Sequence, residues 1–466
     1  MKLLCTLKPY QETGVQWLLK NQQKGCILAD EPGLGKTVQI CGLISADICK
    51  TLIIVPLQLI YQWQSEIYTH IDIEKDDVYI FYGKNKRKDD KIYNSKIIIT
   101  NYETIISEYK SDNFHFLKNL NIDRIVCDEG HRLKNIKSKL YQCVKEFLSV
   151  SLSQLKYKII LLTGTPIINH IDDLISLITL LHHDPYSKAA YWKKKFIGKT
   201  ELLASILPKV LLCRKKSILH DLPKIHTHTI HLNLSDYEER LYNNIYSSKI
   251  DPDELHETIN IDKINHHLAR IIRLRQCADS YKIISRNNNC TVKDSIKINT
   301  IIDILNNNTH EKYIIYSTFT TFLELLKKCI DRPSLLYTGK VNIKDRQNVI
   351  DTFNSSDSDI KILLISIGCG SVGLNLTTAN NVILCEPQWN NSIERQAIDR
   401  VYRIGQKRDV NVYTLHIESS IEKWIHDIKV EKKCHTDILY NKQSNNIVED
   451  ITMSKLCRDV SKKLYI

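Results

Sequence analysis

The stretch ADEPGLGKTVQ, residues 29–39, sets a glycine-flanked turn between the apolar run GCILAD and a segment of helical spacing. A turn of this kind aims backbone N–H groups and a helix N-terminus at one spot, which suits a phosphate. Lys36 is then placed for the β- and γ-phosphates of a nucleotide and Thr37 for a magnesium ion. Asp30, Glu31, Pro32, Gly33, Leu34 and Gly35 complete the cofactor-binding turn. The strict spacing rule asks for glycine where this chain has Asp30, so the strand-turn-helix context carries the reading. Pro32 donates no N–H, but the donors nearest the phosphates come from Leu34 to Thr37, beyond it, and the cradle stands.

A magnesium nucleotide needs a carboxylate for the metal's water shell, and hydrolysis needs a second group to orient the attacking water. RIVCDEGH supplies both, in Asp128 and Glu129, with His131 behind them as a polar relay. Lys36, Asp128 and Glu129 are therefore catalytic candidates, and Thr37 and Asp128 the metal ligands.

Such groups need rigid supports. GCILAD, TLIIVP, KIIIT, DRIVCDE and YKIILLTG recur before residue 165, and KYIIYST, SLLYTG, IKILLIS, NNVILCE and VNVYTLHI between 312 and 417. Continuous apolar runs joined by helical crossovers predict two α/β lobes, each a mostly parallel sheet flanked by helices. Ligands in such sheets lie at the carboxyl ends of the strands, where the phosphate turn and the acidic pair both fall. Residues 170–300 show helical spacing, with a capping box at Ser235 and Glu238. The expected domains are an ATP-binding lobe at 1–205, a linker with helical insertions at 206–300, a second lobe at 301–425 and a polar extension at 426–466.

A hydrophobic content of 43% with 25% charged residues is that of a core-forming protein, and a net charge of +12 favours a polyanionic partner. The 14 cysteines never form C-x-x-C, which points to reduced, buried thiols and away from zinc. No apolar stretch approaches the ~20 residues of a membrane span, and no signal peptide is legible, so a soluble protein of nucleus or cytoplasm is expected.

The ordered set LKPYQETGVQWL, DEPGLGKT, IIVPLQLIYQW, TNYET, DEGH, LTGTP, GSVGLNLTTANNVILCEPQWN and QAIDRVYRIGQKRDV resembles the helicase-superfamily ATPases of the Swi/Snf remodelling type. The resemblance runs from residue 7 to about 415. It implies two RecA-like lobes that use ATP and magnesium on double-stranded DNA without reading its sequence, with nucleosomes or transcription proteins as further partners. It implies that Gln11 reads the adenine edge and that Thr163 and Thr165 couple the lobes, together with His131, Gln396 and Gln406. Arg400 and Arg403 match the catalytic positions that reach the γ-phosphate from the second lobe, and SIERQAIDRVYRI reads as one helix carrying both. Pro56, Gln58, Thr100, Asn101, Gly373, Asn375 and Trp389 match the DNA groove, and Arg214 a linker after the first lobe. Trp63, inside an amphipathic run, reads as core, and KNKRK, Lys84 to Lys88, as a solvated loop or a DNA-contact patch.

The chain departs from the family pattern at Pro32, Gly130, Glu386 and YST, residues 316–318. Every charged catalytic position is nonetheless filled. The reading is a DNA translocase stripped to its motor, comparable in compactness with the baculovirus global-transactivator group. A strand-separating helicase and a nucleotide-gated DNA-binding scaffold with residual hydrolysis stay open beside it.

Overall fold

Runs such as TLIIV and IIITN have no polar face, so they settle only where a sheet is covered on both sides. In the computed structural model they do so twice. The structure describes residues 1–83, 86–87, 90–111, 116–117, 119–149, 157–164, 166, 171–181, 188, 191, 208–219, 222–247, 267–284, 295–370 and 374–427. Thr165, Gly373, Lys84 and residues 428–466 lie outside the described residues.

A short antiparallel pair, β1 (Lys2–Leu3) and β4 (Ile71–Asp72), stands apart from the two large sheets. The first large sheet has seven parallel strands: β2 (Cys26–Leu28), β3 (Thr51–Val55), β5 (Val78–Ile80), β6 (Ile97–Asn101), β7 (Arg124–Cys127), β8 (Lys158–Leu162) and β9 (Leu211–Leu212). Their spatial order is β5-β6-β3-β7-β8-β2-β9. Successive side chains alternate faces, so Leu52 and Ile54 join one core cluster while Ile53 and Val55 join the other.

The second sheet has six parallel strands: β10 (Ile225–Leu232), β11 (Tyr313–Ser317), β12 (Ser334–Tyr337), β13 (Ile362–Ser366), β14 (Asn381–Leu384) and β15 (Val410–Ile417), in the order β10-β15-β14-β11-β13-β12. Its central strands β11, β13 and β14 are buried on both faces. All ten apolar runs of the sequence become strands.

The segment expected to be helical also supplies one strand to each sheet, β9 to the first and β10 to the second. Helices Asp236–Ser247 and His267–Asp279 follow and pack on their own cluster with Leu241, Leu274 and Ile421. The capping box closes: Glu238 N–H donates to Ser235 Oγ at 3.3 Å, and Ser235 N–H to Glu238 Oε2 at 3.2 Å. Among the described residues no helix is long and apolar enough to cross a membrane.

Candidate active site

Because β7, β8 and β2 are neighbours, their carboxyl ends bring Asp128 and Glu129, Thr163, and the phosphate turn to one edge. The turn between β2 and the helix Lys36–Ala46 passes through Gly33 and Gly35, with φ of 90° and 77°, backbone that favours glycine. Packing sets the same requirement. A Cβ on Gly35 would lie 2.5 Å from Gln11 Nε2, and one on Gly33 only 2.9 Å from Arg403 Cβ. Gln11 is buried over the turn, donating to the Leu34 carbonyl at 3.2 Å, and Tyr10 Oη donates to the same carbonyl at 2.9 Å. Pro32 wedges against Gly164, where a Cβ would meet Pro32 Cγ at 2.7 Å.

Lys36 begins the helix and donates from Nζ to the Asp30 carbonyl at 2.6 Å. Burial pulls its pKa below the ordinary lysine value, against the fields of Glu129, Asp30 and Asp128, and Arg400 pulls the same way as burial. Thr37 occupies the next position of the helix.

The acidic pair is held in detail. Asp128 Oδ1 accepts from Glu129 N–H at 2.8 Å and Oδ2 from Trp63 Nε1 at 2.8 Å, while its carbonyl accepts from Tyr102 Oη at 2.5 Å. Burial, then the Glu129 charge, pushes the Asp128 carboxyl up to about 6. Burial also acts on Glu129, but His131, Arg400 and Lys36 outweigh it and hold that carboxyl below its ordinary value. Glu129 adopts left-handed backbone, φ 50° and ψ 47°, a costly conformation for a non-glycine residue and one common at functional sites. His131 Nδ1 lies 3.2 Å from Glu129 Oε2 and 3.5 Å from Thr163 Oγ1, so one imidazole touches both the acid and the LTGTP stretch.

The second lobe closes on this edge, though not by the expected helix. The helix Asn391–Ile398 ends before both arginines, and the chain tightens through bonds such as Val401 N–H to the Ile398 carbonyl, 2.9 Å. Arg400 and Arg403 thus stand on a turn. Arg403 packs over Gly33, and its Nε is buried with no hydrogen-bond partner among the described residues. Burial, with Arg400 alongside, lowers the Arg403 pKa. Gln406 staples this turn, donating to the Ala379 carbonyl at 2.7 Å and accepting from the N–H groups of Lys407 and Arg408 at 2.9 and 3.0 Å. Gln396 is buried in the helix.

Two residues of the turn face elsewhere than the phosphate position. Asp30 gives both carboxylate oxygens to Arg214, at 2.9 and 2.5 Å, and accepts from Gln39 Nε2 at 3.0 Å. Glu31 accepts from Arg395 of the second lobe at 2.9 Å and from the Lys216 N–H at 2.7 Å. Lys216, which the sequence did not single out, sends Nζ to Asp399 and to the Tyr402 carbonyl.

A magnesium ion fits this edge by its chemistry. Thr37 offers a hydroxyl at a helix N-terminus, and Asp128 a half-buried carboxyl whose raised pKa a cation would relieve. The orphaned Arg403 Nε suits an anionic oxygen in the same place.

The expected DNA groove is scattered in character. Gln58 and Asn375 are exposed, and Pro56 is buried at the end of β3. Thr100 is wholly buried and donates to the Phe81 carbonyl at 2.9 Å, and Asn101 caps the helix Tyr102–Lys110 by accepting from Thr104 N–H at 2.8 Å. Their side chains therefore shape a loop and do not face solvent. Trp389 meets Trp424 edge-on at 5.7 Å, with Arg275 stacked on it at 5.9 Å. Lys86 and Arg87 both pair with the buried Glu108, Lys86 half-buried and Arg87 exposed.

Comparison with known proteins gives the family of the chain. The SNF2-related domain matches residues 10–335 and the helicase conserved C-terminal domain residues 296–405. A probable global transactivator of Orgyia pseudotsugata multicapsid polyhedrosis virus is 28% identical, over 96% of this chain and 93% of its own. A mouse SWI/SNF-related matrix-associated actin-dependent regulator of chromatin, subfamily A member 1, is 29% identical over 97% of this chain and 45% of its own. Among solved structures, the Sulfolobus solfataricus SWI2/SNF2 ATPase core in complex with dsDNA is 28% identical and covers 91% of each chain, with a TM-score of 0.43. The chain spans about half the length, or less, of cellular relatives such as the mouse and Mycoplasma proteins. With the first match covering the phosphate turn and the acidic pair and the second the arginine turn, the chain belongs to the SNF2-related family of helicase-like ATPases.

Proposed function

We propose that the protein is a DNA-dependent ATPase that tracks along double-stranded DNA and displaces or remodels bound protein. One observation carries the reading: Arg403 of the second lobe packs on Gly33 of the phosphate turn, with Arg400 in the field of Lys36 and Glu129. A triphosphate on that turn would lie between the lobes.

Lys36 and the first N–H groups of its helix bind the phosphates, and Gln11 faces the base. Thr37 and Asp128 would hold a magnesium ion, which would supply positive charge against the phosphates. Glu129, kept ionised by His131, Arg400 and Lys36, orients the attacking water and takes its proton. Arg400 and Arg403 stabilise the charge that spreads over the γ-phosphoryl oxygens, a role worth about 10³- to 10⁵-fold in rate. Because the acid and the arginines sit on different lobes, each turnover demands closure and each release permits opening.

The polyanion track rests on the +12 charge and the family, and contacts to phosphates are sequence-blind. Work on nucleosomes or transcription complexes, in nucleus or cytoplasm, extends the same reading. The test is ATP turnover with no DNA, single strands, and duplexes of increasing length, beside a strand-displacement assay. Turnover should rise with duplex length before levelling, with no unwinding. Unwinding of a plain duplex favours the strand-separating helicase, and turnover indifferent to DNA overturns the motor.

A further inference from the structure

We propose that Lys216 is the positioning residue that sets the arginine turn, residues 399–403, over the phosphate turn. The inference rests on the ATPase reading above. Residues 213–219 lie on the chain's crossing between lobes, since β9 ends at Leu212 in the first sheet and β10 begins at Ile225 in the second. This strap is fastened on both sides. Arg214 grips Asp30 through two nitrogens, donates to the Tyr10 carbonyl, and reaches Gln39 Oε1 at 2.7 Å. Lys215 is extended, φ −90° and ψ 157°, so Arg214 and Lys216 project from the same side of the strap.

Lys216 reaches three places that matter. Its Nζ donates to the carboxylate of Asp399, the neighbour of Arg400, and to the carbonyl of Tyr402, the neighbour of Arg403. Its backbone N–H donates to Glu31 Oε2 at 2.7 Å, and Glu31 in turn accepts from Arg395 at 2.9 Å. A Cβ on Gly33 would stand 3.2 Å from Lys216 Cε, so the alkyl stem itself lies on the phosphate turn. Lys216 and Asp399 are 8% and 3% exposed, which makes their ion pair dry and geometrically demanding. A lysine suits the task because its ammonium donates three ways from one point and can hold a side-chain and a main-chain acceptor together.

A purely structural ion pair could sit anywhere on the interface. This one touches the residues next to both arginines and the acid of the facing turn. Loss of the ammonium should leave the nucleotide seat intact and let the arginines drift, and a drift near 1 Å costs about 10²-fold in rate.

The experiment compares Lys216→Met, Asp399→Asn, Arg403→Ala and the double variant Lys216→Met/Arg403→Ala in DNA-stimulated turnover, with thermal unfolding as a check on folding. Lys216→Met and Asp399→Asn should each lower kcat by about 10²-fold while the KM for ATP changes by less than about threefold. The double variant should lose less than the product of the two single losses, because the lysine acts in part through Arg403. Losses that multiply in the double variant, or wild-type turnover in Lys216→Met, overturn the proposal. Should Lys216→Met not fold, Asp399→Asn is read in its place, alone and combined with Arg403→Ala. An active wild type with an unaffected Lys216→Met sinks this assignment alone. A wild-type chain that hydrolyses no ATP sinks it together with the reading beneath it.

Discussion

Replacing Trp63 by phenylalanine isolates one bond. The indole is 2% exposed within the core face of the first sheet, and its Nε1 donates to Asp128 Oδ2 at 2.8 Å. Phenylalanine keeps an aromatic body on the helix Ile60–His70 and deletes the donor. Two effects follow, and their sizes differ. The smaller ring leaves a partial cavity, which costs on the order of 1–2 kcal/mol of stability whatever is bound. The lost hydrogen bond to a charged acceptor is worth about 1.5–3 kcal/mol, and outer-shell partners of metal ligands typically carry 10- to 100-fold in metal affinity or activity. Asp128 would keep only the Glu129 N–H on its other oxygen and could swing. ATP turnover titrated with magnesium chloride at saturating ATP separates the two. The half-saturating magnesium concentration should rise at least about tenfold, with the maximal rate largely recovered at high magnesium. A variant with a lowered Tm and an unchanged magnesium dependence would show that Trp63 only packs, and would remove Asp128 as the metal ligand it orients.

Three further outcomes test other parts of the site. Arg403→Ala should slow hydrolysis about 10³-fold with nucleotide binding nearly intact, read by single-turnover kinetics and equilibrium binding; a full rate refutes the two-lobe mechanism. Gly33→Ala meets both a φ of 90° and Arg403 Cβ at 2.9 Å, so the lobes must part, and turnover should fall at least about tenfold while each lobe stays folded. An unchanged rate would mean the closed contact is not used. Burial, then Asp279, pushes Glu386 up to about 7, with Lys297 and Arg275 opposing, and Glu422 belongs to the same buried cluster. The folded state therefore keeps a proton that the unfolded chain releases, and stability from this group falls as pH rises from its ordinary 4.5 toward 7. The full loss is on the order of 3 kcal/mol above that window. Glu386→Gln mimics the protonated acid and should gain Tm relative to wild type at pH 8 but not at pH 5; parallel Tm profiles would refute the assignment.

Much of the scaffold was legible because its signals are local. A run such as ILLIS is apolar on both sides, and only a doubly covered sheet accepts it. The Ser235–Glu238 capping box spans three residues and needed no tertiary help. Less legible were strands whose reason for being lies elsewhere. β10, IHTHTIHL, is mostly exposed and polar, and it is a strand because all eight residues pair with β15. β9 has only two residues, below any periodicity, and exists because β2 offers an edge. IDRVYRI keeps helical spacing and so predicts a continuing helix; the chain instead turns after Ile398, and Gln406 bonds the Ala379 carbonyl.

What the amino-acid order determined by itself is the list of groups able to do chemistry: a phosphate turn, an acidic pair and two arginines, each beside an element that could hold it. Only the tertiary structure decided how those groups divide their work. Trp63 is core and also a donor to Asp128, Asp30 and Glu31 serve a strap and the opposite lobe, and Lys216 bridges both turns. The physical reason is range. Apolar periodicity and capping act over a few residues, whereas the pairing of Glu31 with Arg395 or Lys216 with Asp399 exists only once two sheets have formed and closed on each other.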